Sequence, residues 1–347
     1  MSVRLPKPLR STMVLAAIAL AGPTAHAQDA RMRLESATLP RPMINGEAPD
    51  TVIEASGVEP IGDGRRALVA HDKAPALHVV DLASGWLVGG PLASPKFPPQ
   101  SKTGPKWEGM ARDSEGNYYL IGSHSGKTDA ERAEKAVLIR FRLKGADSDS
   151  PAIDDDSVVR WHVARPLASA LKGLGLDEAK VAKRKVEGLA VREREGRREL
   201  VIGLREPDDK VRAFVADITS APSPDAELEL KPLFAFDAGL REGVQAQLTS
   251  LEYVPALRGL LVVTATEDEG NIFHGNTLWF VADGAADRAA EVATFEVAMK
   301  AEGLAVLDAR DEGRRKVVKL LITFDNDPEA TKIPSRFQTA TLVAEPR

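Results

Sequence analysis

Three near-copies of one pentapeptide decide the fold of this chain. They are Trp107-Glu108-Gly109-Met110-Ala111, Val186-Glu187-Gly188-Leu189-Ala190 and Ala301-Glu302-Gly303-Leu304-Ala305. Each copy is followed by a charged turn that contains glycine, and then by an apolar run that ends in polar residues. Short apolar runs bounded by Gly, Asp and Asn are typical of strands joined by hairpins. The repeat therefore predicts an all-β protein built from similar strand units.

Two weaker copies extend the repeat to five members. They are Ser56-Gly57-Val58-Glu59 and Thr249-Ser250-Leu251-Glu252, which carry a hydroxyl residue at the glutamate position and a glutamate three residues later. The repeats start at 56, 108, 187, 249 and 302, with spacings of 52, 79, 62 and 53 residues. This pattern predicts a single β-propeller of five blades, with six blades as the alternative. A β-sandwich also has many short strands, but it does not explain the recurring pentapeptide.

Each unit is predicted to add further strands outward from the first. Second strands are expected at 67–70, 118–122, 200–203, 260–264 and 317–324, and third strands at 77–82, 136–143, 211–218, 277–282 and 336–344. Fourth strands are expected at 86–89, 158–163, 228–236 and 291–297, so the last unit lacks one. The alternating segment 31–39 is predicted to supply it and to close the ring, since an open ring would leave exposed edges. The widest gap holds a partly helical insertion near 166–185.

The N-terminus has the three zones of a secretory signal peptide. Arg4, Lys7 and Arg10 precede the apolar run 13–21, and Ala25-His26-Ala27 is a suitable cleavage site. The apolar run is about half the length of roughly 20 residues that a membrane anchor needs. The predicted organisation is a signal peptide at 1–27 and a propeller domain at 28–347, located in the periplasm or secreted, with no part in the membrane.

Composition narrows the classes of partner. The chain has no cysteine, so an exported form would depend on core burial rather than on disulfides. The formal net charge of −5 becomes about −8 once the three cationic residues of the signal peptide are removed. Such a surface gives no basic patch for nucleic acid, and we expect a monomer without a nucleic-acid partner. Familiar hydrolase, nucleotide and dinucleotide motifs are absent from the sequence.

The repeated glutamates are the first candidate site. Innermost propeller strands run beside one axis, so Glu108, Glu187 and Glu302 should form part of a ring. Three carboxylates cannot all stay ionised and unpaired in a confined channel. Bound Ca²⁺ or Mg²⁺, arginine side chains or protonation would each neutralise them. Hydrogen bonds from each glutamate to the backbone of the next blade are an equally open interpretation.

The glycines of the repeat and the glutamates of the two weak copies also bear on the predicted glutamate ring. The glycine after each glutamate permits a bend or a close backbone approach at the crowded axis. Glu59 and Glu252 face the channel only if the register of their strands is bulged; otherwise they lie elsewhere and the ring has three members.

The ends of the second strands are the second candidate site, at one mouth of the channel. The polar residues expected there are His71, Asp72, His124, Arg205, Glu267, Asp268, Asp325 and Asp327. In Ser123-His124-Ser125 the histidine is either a base or metal ligand beside hydroxyls, or part of a loop cap. Asp325-Asn326-Asp327 suits a generic cation ligand, with Asp327 assigned to the metal. His274, on a loop rich in Gly and Asn, is a further candidate ligand-binding residue.

The Trp107-to-Ala111 pentapeptide, the Ile121-Gly122-Ser123-His124-Ser125 strand end and the later Glu-Gly-Leu-Ala copies resemble a family of secreted bacterial propellers, the DUF3616 type. The resemblance spans about residue 50 to the end of the chain. More distantly, the Glu-Gly motifs resemble those of phytase-like and esterase-like propellers. That resemblance implies calcium binding and metal-assisted cleavage of phosphate or other esters.

Two functions are predicted. In the first, the propeller holds a divalent cation through Glu108, Glu187 and Glu302 and binds a small anionic or ester-bearing ligand at the mouth. As an enzyme it would use metal-activated water, with His124 as proton acceptor and Arg205 holding the anion. In the second, it is a non-catalytic scaffold that presents loops to a ligand or a protein.

Overall fold

Five antiparallel sheets surround a common axis in the computed structural model of the protein. The structure describes residues 30–44, 53–99, 105–268, 270, 272–295, 299–325 and 334–346, so the predicted signal peptide lies outside the described residues. The innermost strands of consecutive sheets contact each other in sequence order, and the fifth contacts the first. This arrangement is a five-bladed β-propeller, which confirms the predicted fold and blade number.

The strands are numbered along the chain. Ahead of the first blade lie β1 (Ala30–Ala37) and β2 (Arg41–Pro42). Blade 1 contains β3 (Ala55–Ile61), β4 (Arg66–His71) and β5 (His78–Asp81). Blade 2 contains β6 (Trp107–Arg112), β7 (Tyr118–Gly122), β8 (Leu138–Phe141) and β11 (Val159–Trp161), with the small hairpin β9 (Leu143–Lys144) and β10 (Ala152–Ile153) beside it. Blade 3 contains β12 (Lys185–Arg194), β13 (Arg197–Glu206), β14 (Val211–Asp217) and β15 (Lys231–Phe236).

The remaining blades follow the same order. A short hairpin, β16 (Leu240–Arg241) and β17 (Val244–Gln245), leads into blade 4. Blade 4 contains β18 (Gln247–Val254), β19 (Gly259–Glu267), β20 (Phe273–Ala282) and β21 (Ala290–Phe295). Blade 5 contains β22 (Lys300–Glu312), β23 (Arg315–Asp325) and β24 (Arg336–Pro346). The α-helices within the described ranges are α1 (Asp129–Lys135), α2 (Ala164–Gly173) and α3 (Glu178–Ala182), and 3₁₀ turns occur at Asp155–Ser157 and Pro255–Leu257.

The N-terminal strand closes the ring, as the sequence predicts. β1 pairs antiparallel with β24, from Ala30 opposite Pro346 to Ala37 opposite Ala340. It is thus the outer strand of a blade whose other strands come from the C-terminal end of the chain. The pairing covers the edge of β24, which would otherwise present unpaired backbone groups.

The segment predicted as the outermost strand of blade 1, at 86–89, does not form a regular strand. It is joined to its neighbours by isolated bridges, Val80 to Leu87 and Ile44 to Trp86, and by a hydrogen bond from the Val88 amide to the Val79 carbonyl, and the Trp86 side chain is exposed. The glycines at each end, Gly85 and Gly89, have φ of 81° and 69°, which turns the backbone away from a continuous ladder. The outer strands of blades 2 to 4 form as expected; those of blades 2 and 3 are shorter than predicted.

The helical insertion occupies the gap between blades 2 and 3. Leu167 and Leu171 lie one turn apart in α2 and are fully buried. They pack in one apolar cluster with Trp161 of blade 2 and Val181 of α3. Among the described residues, no helix is long and apolar enough to span a membrane.

All five innermost strands have a β-bulge at the same repeat position. The register shifts between Trp107 and Gly109, and the equivalent shift occurs in each of the other blades. The residue at the glutamate position is therefore the extra residue of the bulge, without a partner on the second strand. A bulge re-aims the side chain that it contains, which explains why one residue type recurs at this position.

The glycine that follows the bulge lets neighbouring blades approach closely. A Cβ atom on Gly109 would lie 2.8 Å from the backbone nitrogen of Leu189 in blade 3. One on Gly57 would lie 2.6 Å from the nitrogen of Met110, and one on Gly303 would lie 2.6 Å from the carbonyl oxygen of Ser56. Real Cβ atoms do not approach backbone so closely, so these positions need glycine for reasons of packing.

Replacing one of these glycines tests the packing. We expect Gly109→Ala to lower the free energy of unfolding by about 1–3 kcal/mol, because the new methyl group meets backbone that cannot move aside. Gly173→Ala at the end of α2 is the matched control, because a Cβ there has no neighbour within 4 Å. That control should be neutral or up to about 1 kcal/mol more stable. Urea denaturation measures both, and equal stabilities of the two variants would contradict the packing account.

Candidate functional site

The glutamates at the bulges have lysine partners on their own strands. Two residues before each glutamate of the strong copies stands a lysine, at Lys106, Lys185 and Lys300. Lys106 Nζ lies 2.9 Å from Glu108 Oε1, and Lys300 Nζ lies 2.7 Å from Glu302 Oε1. Lys185 Nζ makes the equivalent ion pair with Glu187. The repeated unit is therefore Lys-x-Glu-Gly rather than Glu-Gly alone.

Further ion pairs link each of the first four blades to the next. Lys106 Nζ lies 3.2 Å from Asp72 of blade 1, and Lys185 Nζ lies 3.7 Å from Glu108 of blade 2. Between blades 3, 4 and 5, Glu267 Oε2 lies 3.1 Å from Arg205 Nη2 and 3.3 Å from Lys300 Nζ. We call this set the charged rim. Its members are Glu54, Asp72, Lys73, Lys106, Glu108, Lys185, Glu187, Arg205, Glu267, Lys300 and Glu302.

The weak copies depart from the lysine–glutamate pattern but join the same rim. Glu54 stands at the lysine position of the first copy, and its Oε2 lies 3.0 Å from Lys73 Nζ. Gln247 stands at that position in the fourth copy and accepts a hydrogen bond from Arg205 Nε at 2.8 Å. Thr249, at the glutamate position, donates from Oγ1 to the carbonyl oxygen of Ala301 in blade 5 at 2.6 Å. This last contact links two blades through a side-chain hydrogen bond to the backbone, but it is made by threonine, whereas the motif predicts such a bond for the glutamates.

The carboxyl groups of the charged rim are neutralised in two ways, by basic side chains and by protonation. Burial opposes the charge of Glu187, but Lys185 and Arg205 outweigh it and lower the pKa of Glu187 to about 2. Burial and the adjacent Glu187 carboxylate raise the pKa of Glu108 to about 7, against the attraction of Lys106 and Lys185. Two of the three predicted means of neutralisation are therefore present, basic side chains and partial protonation. The lysines, which form most of these ion pairs, are not predicted by the sequence analysis.

Binding of a divalent metal ion by the repeated glutamates stays a prediction. Among the residues that the structure describes, no three acidic or histidine side chains are grouped so as to hold a metal ion. Asp327, the fourth predicted metal residue, lies outside the described residues. Lys185 reaches both Glu108 and Glu187, and each of Glu108, Glu187 and Glu302 has a lysine within ion-pair distance.

The predicted mouth residues divide into two groups. Asp72, Arg205 and Glu267 belong to the charged rim. His71 is buried below it and accepts a hydrogen bond from the Lys73 amide at Nδ1, while Asp325 accepts from Ser335 Oγ at 3.5 Å. Both groups lie where the second strands end.

His274 and Asp268 lie on the blade 4 side of the mouth, next to Glu267. His274 Nδ1 is 2.8 Å from Glu242 Oε2, and its Nε2 is 3.4 Å from Asp268 Oδ2. The hydrogen bond with Glu242, followed by that with Asp268, raises the pKa of His274. This histidine connects the β16–β17 hairpin to the turn after β19.

The Ser123-His124-Ser125 tripeptide joins blade 2 to blade 3. Ser123 Oγ and Ser125 Oγ are 2.9 Å apart, and the Ser123 carbonyl accepts from the Val186 amide at 2.8 Å. His124 is completely buried, with φ of 55°, and neither ring nitrogen has a hydrogen-bond partner among the described residues. Burial, followed by the charge of Arg184, lowers the pKa of His124 to about 3. His124 is therefore neutral at pH 7 and enclosed in this conformation.

Glu59 and Glu252 are not members of the charged rim. Each stands three residues after the bulge position, where the other three strands have Ala111, Ala190 and Ala305. Burial raises the pKa of Glu252 to about 8, and burial followed by the Glu252 charge raises that of Glu59. The ring at the bulges thus has three glutamates, and these two acids form a separate level.

The fold and site together define a five-bladed propeller with a charged channel mouth. No family model matches the sequence, and no curated protein matches it. Solved structures are similar only at low identity. An α-L-arabinofuranosidase from Lactobacillus brevis is 10% identical, covering 93% of this chain and 94% of that one, with a TM-score of 0.41.

Two other solved structures are comparably distant. Regucalcin, a calcium-binding protein from Agrobacterium tumefaciens, is 11% identical over 86% of this chain and 93% of its own, with a TM-score of 0.39. A β-fructofuranosidase from Bombyx mori is 9% identical over 86% of this chain and 61% of its own, with a TM-score of 0.44. These likenesses carry no argument about activity.

Removing one rim lysine tests the ionic account. Lys106→Met leaves the buried Glu108 and Asp72 without their shared cation, and we expect a loss of about 3 kcal/mol in the free energy of unfolding at pH 8. The loss should shrink as the pH falls towards 5, because protonation of Glu108 removes the uncompensated charge. The control Lys144→Met breaks an exposed pair with Asp154 and should change stability by under about 0.5 kcal/mol. A deficit that is independent of pH would count against the rim as an electrostatic device.

Proposed function

We propose that this protein is an exported, non-catalytic binding propeller whose ligand is a small anion held at the charged rim. The observation that supports it is Lys135, at the end of α1. Lys135 forms no ion pair with any described residue, and burial followed by the nearby charge of Lys106 lowers its pKa. Lys185 adds to this repulsion. Three ammonium groups therefore lie together on the blade 2 and blade 3 side of the mouth, with one of them unpaired.

An anion would complete this group of three lysines. The rim lysines are already shared between carboxylates, whereas Lys135 is the group that a ligand would pair with. Charge-assisted hydrogen bonds to a carboxylate or phosphate would reverse the shift in its pKa and offset the repulsion between the lysines. Arg205 is held by Gln247, Glu187 and Glu267, so it supports the rim rather than offering a free guanidinium to the ligand.

A metal-dependent ester hydrolase is the second candidate, and one observation favours it. A carboxyl group with a pKa near 7 is suited to general acid–base catalysis, and Glu108 has such a pKa at the mouth. His124 gives this candidate less support, because its ring is enclosed and has no solvent-facing nitrogen in this conformation. The binding function is preferred, since it needs only groups that already face the mouth.

Export is proposed from the signal-peptide pattern alone. The expected mature protein begins at Gln28, two residues before β1 starts at Ala30. N-terminal sequencing of protein recovered from a periplasmic fraction checks this, and an intact Met1 in the recovered protein would contradict it.

Titration with phenyl phosphate and benzoate tests the binding function. We expect both anions to bind the metal-free protein, and Lys135→Ala to weaken binding about fivefold or more, because the unpaired ammonium is lost. Lys210→Ala, an exposed lysine in the turn before β14, is the matched control and should leave affinity unchanged. Calorimetry measures both. Absence of binding at millimolar anion, or equal affinity of Lys135→Ala and the parent protein, would contradict the proposal.

The same preparations separate the two candidates. Turnover of p-nitrophenyl phosphate or p-nitrophenyl acetate with added Ca²⁺ or Mg²⁺, abolished in Glu108→Gln, would favour the hydrolase and contradict a non-catalytic role. Binding without turnover supports the binding propeller.

A further inference from the structure

A group of buried polar atoms without partners lies at the boundary between blades 2 and 3. Both ring nitrogens of His124 and Nε of Arg184 are buried and have no hydrogen-bond partner among the described residues. His124 is completely buried, and Arg184 is close enough for its charge to lower the pKa of that histidine. Buried polar atoms are almost always satisfied, so a set of three together points to a bound group.

The fold brings these two residues together from separate segments. His124 follows the second strand of blade 2, and Arg184 immediately precedes the innermost strand of blade 3. The segments are held side by side by the hydrogen bond from the Val186 amide to the Ser123 carbonyl. Helix α1 is fastened beside them, because Arg132 donates to the Gly126 carbonyl at 2.7 Å and the His124 amide donates to the Lys135 carbonyl at 3.3 Å.

The electrostatics of this place favour an anion. Arg184 forms no ion pair with any described residue, and burial followed by the charge of Arg132 lowers its pKa. Asp129, whose carboxylate is paired with Arg132, attracts Arg184 less than Arg132 repels it. Arg184 Nη1 donates to the Val181 carbonyl at 2.9 Å, but a half-buried guanidinium without an ion pair is costly. Lys135, whose carbonyl accepts from the His124 amide, is a second cation that makes no ion pair within the described part of the chain.

The neutral imidazole narrows the choice of anion. A neutral histidine offers one N–H donor and one acceptor nitrogen. The donor and Arg184 Nε need oxygen acceptors, whereas the other nitrogen needs an O–H from the ligand. Hydrogenphosphate keeps a proton at neutral pH and supplies both kinds of group. Sulfate is fully ionised and would leave the acceptor nitrogen of His124 unsatisfied, which is a strong basis for discrimination.

His124 has a φ of 55°, in the left-handed region where histidine, like Asn and Asp, is found more often than most residues. Its side chain is completely buried.

We propose that His124 and Arg184 form an enclosed site for hydrogenphosphate, reached past Lys135. This inference rests on the proposed function for the class of ligand, a small anion, and adds a second place for it behind the charged rim, where His124 and Arg184 select the ion. His124 is then a specificity-determining ligand residue in its neutral form rather than a proton acceptor in catalysis.

Calorimetric titration with sodium phosphate and sodium sulfate at matched ionic strength and about pH 7.5 tests this site. We expect phosphate to bind at least about tenfold more tightly than sulfate. Arg184→Gln should weaken phosphate binding about tenfold or more, because a charge-assisted hydrogen bond is lost. The control Arg160→Gln, an exposed arginine on β11, should not change it.

A second variant isolates the histidine without disturbing the fold. Asn tolerates the left-handed backbone, so His124→Asn should fold, while its shorter side chain no longer spans the site. We expect the preference for phosphate over sulfate to fall below about threefold in this variant. Circular dichroism and thermal unfolding check that the variant is folded.

The outcomes separate this site from the proposed function. Absence of any anion binding by the parent protein would contradict both. Equal affinity for phosphate and sulfate, or no effect of Arg184→Gln, would contradict the hydrogenphosphate site alone if Lys135→Ala still weakens anion binding. A high-resolution structure from phosphate solution with only water between His124 and Arg184 would also overturn it.

Discussion

The close approach of five innermost strands is the constraint on which the rest of this structure depends. In four of the five blades the residue after the bulge is glycine, which allows one blade to lie close against the next, and the bulge re-aims the preceding side chain. A carboxylate in that position cannot remain without compensation. Lysine two residues earlier supplies it and also reaches a carboxylate of the preceding blade, as in the contacts of Lys106 and Lys185. Packing and charge are therefore satisfied by one four-residue unit.

Much of the fold follows from the sequence because the repeat is strong. The pentapeptides mark the innermost strands, and the unpaired strand at 31–39 is explained by ring closure. The first blade departs from the pattern where Gly85 and Gly89 turn the chain, since local backbone freedom overrides an apolar run. The lysines were visible in the sequence as part of Lys-x-Glu-Gly, and positions two apart on a strand share a face. Their contacts with carboxylates of the preceding blade depend on how the blades pack, which the sequence does not show. Lys135 and Arg184 belong to non-repeating segments, so no internal comparison identifies them.

The predicted site residues fall into distinct environments that sequence spacing does not separate. Arg205 and the three glutamates lie in the rim, whereas His124 lies behind it between two blades. Both sets come from the start of innermost strands or the end of second strands. A difference of one or two residues decides whether a side chain faces the mouth or the blade interface, and that difference depends on turn conformation. The same fold supports many functions, so the function here is argued from these environments and not from the propeller itself.

The ionisation of Glu187 tests most directly whether cations of the protein neutralise the ring. Its carboxyl resonance can be followed by ¹³C NMR in glutamate-labelled protein and assigned by its loss in Glu187→Gln. The account predicts that Glu187 stays ionised on acidification until about pH 2, because Lys185 and Arg205 outweigh its burial. A midpoint at or above the usual value of 4.5 would show that these cations do not compensate the buried charge, and it would contradict the account.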